Sequence, residues 1–170
     1  VYRSGAPAVC ADPDAPESVR AYAKAIGADY LECGRDFVVR HIEGAEDGAF
    51  DFECRGERLT HLPAPGLRGE NQYRNAAGAL AVLLRLREKL LSRCDWPARE
   101  KWVAIDRQAV ETGLRAARIR ARFETVADNP EIILDVGHNP QAAVVLAENL
   151  HAGARPGMRT LAVFGMLRDK

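Results

Sequence analysis

The chain has 170 residues, and its 24 lysines and arginines balance 24 aspartates and glutamates, leaving no formal net charge. Hydrophobic residues make up 47 % and charged residues 28 %, the composition of a folded globular protein and not of a disordered one. Neutrality argues against a general nucleic-acid or membrane-surface binder, because no long-range positive field draws in a polyanion.

A chain of this size buries roughly 70 % of its unfolded surface, enough for one good core or two small ones. Cys10, Cys33, Cys54 and Cys94 are widely scattered, with no Cys-x-x-Cys pair and no zinc spacing. They read as reduced, mostly buried thiols of a cytoplasmic protein. No run of about 18 apolar residues could span a bilayer. Val1-Tyr2-Arg3-Ser4-Gly5 has neither an initiator Met nor a signal-peptide core, and Arg168-Asp169-Lys170 comes directly after an apolar strand. Both ends read as cut, so the chain is expected to be part of something longer.

Val1 to Cys10 is a short apolar-leaning segment closed by the Pro-rich turn Asp12-Pro13-Asp14-Ala15-Pro16. Val19, Tyr22, Ala23 and Ile26 come next at helical spacing, and Gly27 stops that helix. From Tyr30 to Leu62 the period falls toward two around Gly44, Gly48 and Gly56, which predicts a small antiparallel meander. After the loop Pro63-Ala64-Pro65-Gly66, an Ala/Leu-rich helix is predicted from Asn71 to about Leu91, and Asp95-Trp96-Pro97 interrupts the chain beyond it. Asp106 is a candidate N-cap for a second helix reaching about Leu114.

Arg122 to Val126 reads as a strand and Asp128-Asn129-Pro130 as a turn. Glu131 to Val136 is a continuous apolar run, as expected of a strand buried on both faces of a parallel sheet. Asn139 and Pro140 then open a helix from Gln141 to about His151, and Arg159 to Gly165 reads as a second buried strand. These three elements form one expected βαβ unit. The domain boundary is placed near Asp128, giving residues 1–127 and 128–170.

Asp135 ends the first of those strands, at the edge where open α/β sheets bind ligands. Its carboxylate either contacts a ligand or orders the turn through backbone N–H groups. His138 beside it is a ligand contact or a turn residue. Asn75 sits early in an Ala-rich helix without a propensity reason; it could read an adenine edge, or be a cap or a locally satisfied polar group. Arg115, Arg118 and Arg120 read as a solvated face, whereas Arg122 opens a strand at the domain junction, where a guanidinium could reach phosphate oxygens. No P-loop and no nucleophile triad occur, and Gly66-Leu67-Arg68-Gly69 is too short for a phosphate loop.

Leu134-Asp135-Val136-Gly137-His138-Asn139-Pro140-Gln141-Ala142-Ala143 resembles the Leu-Asp-Val-Ala-His-Asn-Pro-His-Ala-Ala signature of the folylpolyglutamate synthase/dihydrofolate synthase family, in the Mur ligase superfamily. Asn75-Ala76-Ala77, Arg122-Phe123-Glu124 and Leu161-Ala162-Val163-Phe164-Gly165-Met166-Leu167-Arg168-Asp169-Lys170 match three further family stretches in the same order. The resemblance implies an α/β fold: the end of a central ATPase domain, a small antiparallel meander plus helices, followed by the first βαβ unit of a Rossmann-like C-terminal domain. It implies an ATP-dependent ligase that adds L-glutamate to dihydropteroate or to folate tails through an acyl phosphate, with Mg²⁺. By motif match, Asn75 would contact adenine, Arg122 the phosphates and Asp135 the ribose or inter-domain site, with His138 the catalytic candidate. The P-loop and metal ligands are expected upstream, so no metal ligand is assigned in this chain. The expected partners are small molecules and neither nucleic acid nor membrane, the full-length form being a monomer.

Ala121 replaces the family's usual Gly before the Arg, and Asn71-Gln72 stands where members often carry His-Gln. The Phe-Gly-Met-Leu-x-Asp-Lys run favours the folate branch over ligases of cell-wall synthesis. A non-catalytic nucleotide-binding module is the reading of another class. On the leading reading, the isolated 170-residue chain releases no phosphate from ATP at enzyme-like rates, which a phosphate-release assay checks.

Overall fold

One hydrophobic core, built by a sheet and a long helix, organises the first part of the chain, while the described residues after Ala116 bury only Phe123. The computed structural model describes residues 2–92, 105–157 and 159–165. They cluster into two units, Val1–Gly66 with Tyr73–Ala116, and Leu67–Gln72 with Ala117–Lys170.

The first unit opens with strand β1 (Pro7–Cys10), helix α1 (Glu17–Ala25) and strand β2 (Asp29–Glu32). β1 and β2 pair in parallel, Pro7 opposite Asp29 and Cys10 opposite Glu32, so α1 is a crossover helix. The periodicity expected Tyr30 onward to join the meander; instead β2 turns to β1, because parallel pairing is non-local and leaves no turn signature. α1 starts behind Pro16 with Glu17 in its first turn, and Gly27 ends it in the left-handed region at φ 67°. Arg20 of α1 grips Glu32 with a fork, Nε to Oε2 at 2.9 Å and Nη2 to Oε1 at 2.8 Å. Glu32 is buried, and a buried carboxylate needs such a partner.

The meander forms as expected: β3 (Phe37–His41), β4 (Phe50–Cys54) and β5 (Glu57–Leu62) are antiparallel in that order. β4 alternates inward Phe50, Phe52 and Cys54 with outward Asp51 and Glu53. Helix α2 (Asn71–Leu91) lays Ala76, Ala77, Leu80 and Ala81 on this sheet, closing a core with Leu31, Phe37, Phe50, Phe52 and Leu62. Small residues on α2 let the backbone come close; a Cβ on Gly78 would stand 3.1 Å from the Ala11 methyl. Helix α3 (Arg107–Ala116) starts where expected, Asp106 Oδ1 accepting from the Ala109 N–H at 2.8 Å. Its Val110 and Leu114 pack against the same core. Cys33 and Cys54 are buried free thiols and Cys10 is partly buried, burial pushing the thiol pKa of Cys33 and Cys54 up. Cys94, the Asp95-Trp96-Pro97 interruption and Met166 to Lys170 lie outside the described residues.

The second unit holds β6 (Glu124–Asp128), β7 (Glu131–Leu134) and helix α4 (Pro140–Ala152). Two expectations are corrected here. β7 pairs antiparallel with β6, Glu124 opposite Leu134, and is not buried on both faces; Ile132 and Leu134 are 45 % and 44 % exposed. The run Arg159 to Gly165 forms no strand, and Val163 is fully exposed, so the βαβ unit is not closed among the described residues. An apolar run states a preference for burial, but only a neighbouring strand supplies the ladder. Asp128 falls at the end of β6, inside this unit.

Phe52 is fully buried at the centre of the first core. Phe52→Ala is expected to destabilise that unit by about 3–5 kcal/mol, read from the shift of its denaturant midpoint.

Candidate active site

Each sequence-predicted site residue has a defined place. Asn75 is on the exposed side of α2 in the first unit, one residue before the buried Ala76-Ala77 pair. Arg122, Asp135 and His138 all fall in the second unit, around the ends of β6 and β7.

The backbone before β6 is unusual. Ala121 and Phe123 both have positive φ, 56° and 48°, and Arg122 lies between them. Left-handed backbone costs an L-residue roughly 1–2 kcal/mol, so something must hold it. Two carboxylates do. Glu124 Oε2 accepts from the Ala121 N–H at 2.7 Å, and Asp135 Oδ2 accepts from the Phe123 N–H at 2.9 Å. The Val136 N–H donates to the Ala121 carbonyl at 2.9 Å, closing the loop onto the end of β7. The other oxygen of Asp135, Oδ1, accepts from the Gly137 N–H at 2.6 Å. A Cβ on Gly137 would stand 2.9 Å from that oxygen, so the turn suits glycine.

Phe123 is buried, and the Arg68 guanidinium lies over its ring at 5.1 Å from the centroid. Arg68 Nη1 also donates to Thr125 Oγ1 at 2.7 Å and Glu131 Oε1 at 3.1 Å, so it braces the hairpin from the 67–72 segment. Neither Arg68 nor Glu124 is singled out by sequence reasoning. Glu124 sits inside the Arg-Phe-Glu stretch and could have been found as an acid three residues from a turn amide. Arg68 acts across 57 residues on Thr125, a separation no local pattern reveals.

Arg122 is exposed and has no hydrogen-bond or ion-pair partner among the described residues. His138 Nδ1 lies 3.0 Å from the Val136 carbonyl. A carbonyl only accepts, so Nδ1 is the donor in this contact, and Nε2 is not used in it. Asn139 caps α4 as expected, its Oδ1 accepting from the Ala142 N–H at 2.8 Å with Pro140 at the first helical position. Among the described residues no three His, Cys, Asp or Glu side chains converge as a metal site, and no helix is long and apolar enough to cross a membrane.

Glycine meets no Cβ penalty at φ 56°, although it costs more entropy on folding. Ala121→Gly is therefore expected to leave stability unchanged or raise it by up to about 1 kcal/mol, measured by thermal unfolding.

Residues 121–170 match the family model of the Mur ligase glutamate ligase domain. Over all 170 residues the chain is 31 % identical to the dihydrofolate synthase/folylpolyglutamate synthase of Escherichia coli, covering 35 % of that protein. Among solved structures, E. coli FolC in complex with DHPP and ADP superposes with a TM-score of 0.76 at 28 % identity, over 99 % of this chain and 35 % of that one. A bifunctional folylpolyglutamate synthase/dihydrofolate synthase with Mn, AMPPNP and L-glutamate bound gives 0.69 at 31 % identity, over 89 % and 31 %. The chain thus spans about a third of the length of the proteins it matches. It is similar along its whole length to folylpolyglutamate synthase/dihydrofolate synthases, shares their mixed α/β fold, and matches the Mur ligase glutamate ligase domain in residues 121–170.

Proposed function

We propose that this chain is the part of an ATP-dependent ligase that joins L-glutamate to dihydropteroate, to a folate polyglutamate tail, or to both. The observation that carries the reading is Arg122, an exposed guanidinium without a partner among the described residues, on a turn whose backbone two carboxylates hold in place. An unpaired cation on a fixed support suits a polyphosphate, because none of its donors must first leave an intramolecular acceptor.

A carboxylate is a poor electrophile. Transfer of the γ-phosphoryl group from ATP to a carboxylate oxygen yields an acyl phosphate and ADP. The amine of L-glutamate then adds to the acyl carbon, phosphate leaves with that oxygen, and the amine proton is lost, giving the amide. In this scheme Arg122 offsets charge on the phosphates, and Asn75, donor and acceptor in one amide, matches the edge of adenine. His138 is the catalytic candidate: with Nδ1 donating to the Val136 carbonyl, Nε2 is left to take a proton from the amine. The nucleotide-bound relatives support the ATP assignment, and the one with Mn supports a divalent ion. The described side chains do not form a metal site, so the ion's ligands are not assigned to them and no step is derived through it. Small-molecule partners, a monomeric full-length form and a cytoplasmic setting complete the proposal.

The test is the full-length gene product assayed with dihydropteroate or folate, ATP and L-glutamate. Glutamate-dependent amide formation is expected, with Arg122→Ala lowering kcat/KM on the order of 100-fold at an unchanged melting temperature. Absence of glutamate transfer to either acceptor, or full activity in the variant, overturns the reading.

A further inference from the structure

Phe123 is the one buried side chain among the described residues after Ala116, and its cover comes from the segment that precedes α2. The Arg68 guanidinium lies over the ring at 5.1 Å from the centroid. Its Nη1 donates to Thr125 Oγ1 at 2.7 Å and to Glu131 Oε1 at 3.1 Å, one acceptor on β6 and one on β7. The Arg68 side chain remains 49 % exposed, so the ion pair with Glu131 is a weak fastening, and the face laid on Phe123 is the contact that excludes water.

The backbone that carries Arg68 is fixed as well. Gly69 has φ 116°, and a Cβ there would stand 2.6 Å from Asn149 Nδ2 and 2.9 Å from Asn71 Oδ1, so the close approach to α4 requires glycine. A Cβ on Gly153, at the end of that helix, would stand 3.9 Å from Arg68 Nη2. The guanidinium thus reaches the carbonyl end of α4, which favours a cation. Residues 67–72 accordingly cluster with the second unit.

Phe123 directly follows Arg122 and is itself left-handed at φ 48°. Release of its ring frees a backbone held in a costly conformation, and with it the direction in which Arg122 points. We propose that Arg68 is a positioning residue: it seats the Phe123 ring and through it fixes where the Arg122 guanidinium is presented, without itself touching the nucleotide. This rests on the phosphate role given to Arg122 under the proposed function.

Three substitutions separate seating from a direct phosphate contact. Arg68→Met keeps a long apolar cover for the ring and loses the charge. Arg68→Lys keeps the charge without the flat face. Arg68→Ala loses both.

The experiment uses the full-length gene product with ATP, L-glutamate and dihydropteroate or folate. Arg68→Ala is expected to lower kcat on the order of 30-fold with KM for ATP within about three-fold of the parent, and Arg68→Met to recover roughly ten-fold of that loss. In an Arg122→Ala background, Arg68→Ala should cost less than about two-fold further. Additive losses in this cycle overturn the proposal. So does an Arg68→Met variant no better than Arg68→Ala, and rescue by Arg68→Lys alone then identifies a direct anion contact.

Amide hydrogen exchange gives a readout independent of turnover. The Val136 N–H closes the Arg122 loop by donating to the Ala121 carbonyl. In Arg68→Ala the Phe123 and Val136 amides should exchange roughly ten-fold faster, and in Arg68→Met near the parent rate, while the core amides of β4 are unchanged in both. If the parent transfers no glutamate, the ligase reading fails by itself; unchanged exchange at Phe123 and Val136 in Arg68→Ala overturns the seating role separately.

Discussion

A left-handed backbone at two L-residues is the constraint on which the second unit's architecture turns. Ala121 and Phe123 each lie where glycine is normally required, at a combined cost of roughly 2–4 kcal/mol. A hydrogen bond to a charged group contributes about 1.5–3 kcal/mol, so the bonds from Ala121 to Glu124 and from Phe123 to Asp135 suffice to offset that cost. Their geometry is the stronger kind, a backbone N–H meeting an ionised carboxylate at 2.7 and 2.9 Å. The strained turn is thus held by side chains, and Arg122, between its strained positions, takes no part in holding it.

Local chemistry is legible in the sequence and long-range pairing is not. The caps at Asp106 and Asn139, the helix from Asn71 to Leu91 and the β3–β4–β5 meander all arise from residues within a few positions of one another. β2 escapes such a reading because its parallel partner, β1, lies across a helix and nothing in Asp29–Glu32 names it. The run Glu131 to Val136 is legible as a strand, but its apolar character reports an appetite for burial and not the direction of a neighbour. The same holds for Leu161, Val163 and Phe164, whose exposure shows that no described strand lies beside them.

At the candidate site, sequence identifies the groups that could meet a ligand and one that holds the turns, Asp135, but misses the other two holding groups. Arg122, Asp135 and His138 are visible as motif residues, and all three fall at the ends of β6 and β7. Asn75 is also visible, and it stands in the first unit. Glu124 and Arg68 are not, the first resembling an ordinary strand residue and the second part of a failed phosphate loop. Arg68 illustrates the limit: a guanidinium over Phe123 and against Thr125 and Glu131 is a tertiary fact, set when the 67–72 segment packs on the hairpin.

The way the two acids are used bears on why Arg122 can serve an anion. Had Asp135 or Glu124 paired with the guanidinium, a phosphate would have to displace an intramolecular carboxylate, losing a charge-assisted bond for each one gained. Here both acids are instead committed to backbone N–H groups, which fix the turn without consuming the cation's donors. The neighbouring negative charge still lowers the local potential, so the arrangement favours a ligand that brings its own strong acceptors and a geometry matched to the fork, over one attracted by field alone. Under the proposed function, a turn built this way would leave the donors of Arg122 available to phosphate oxygens.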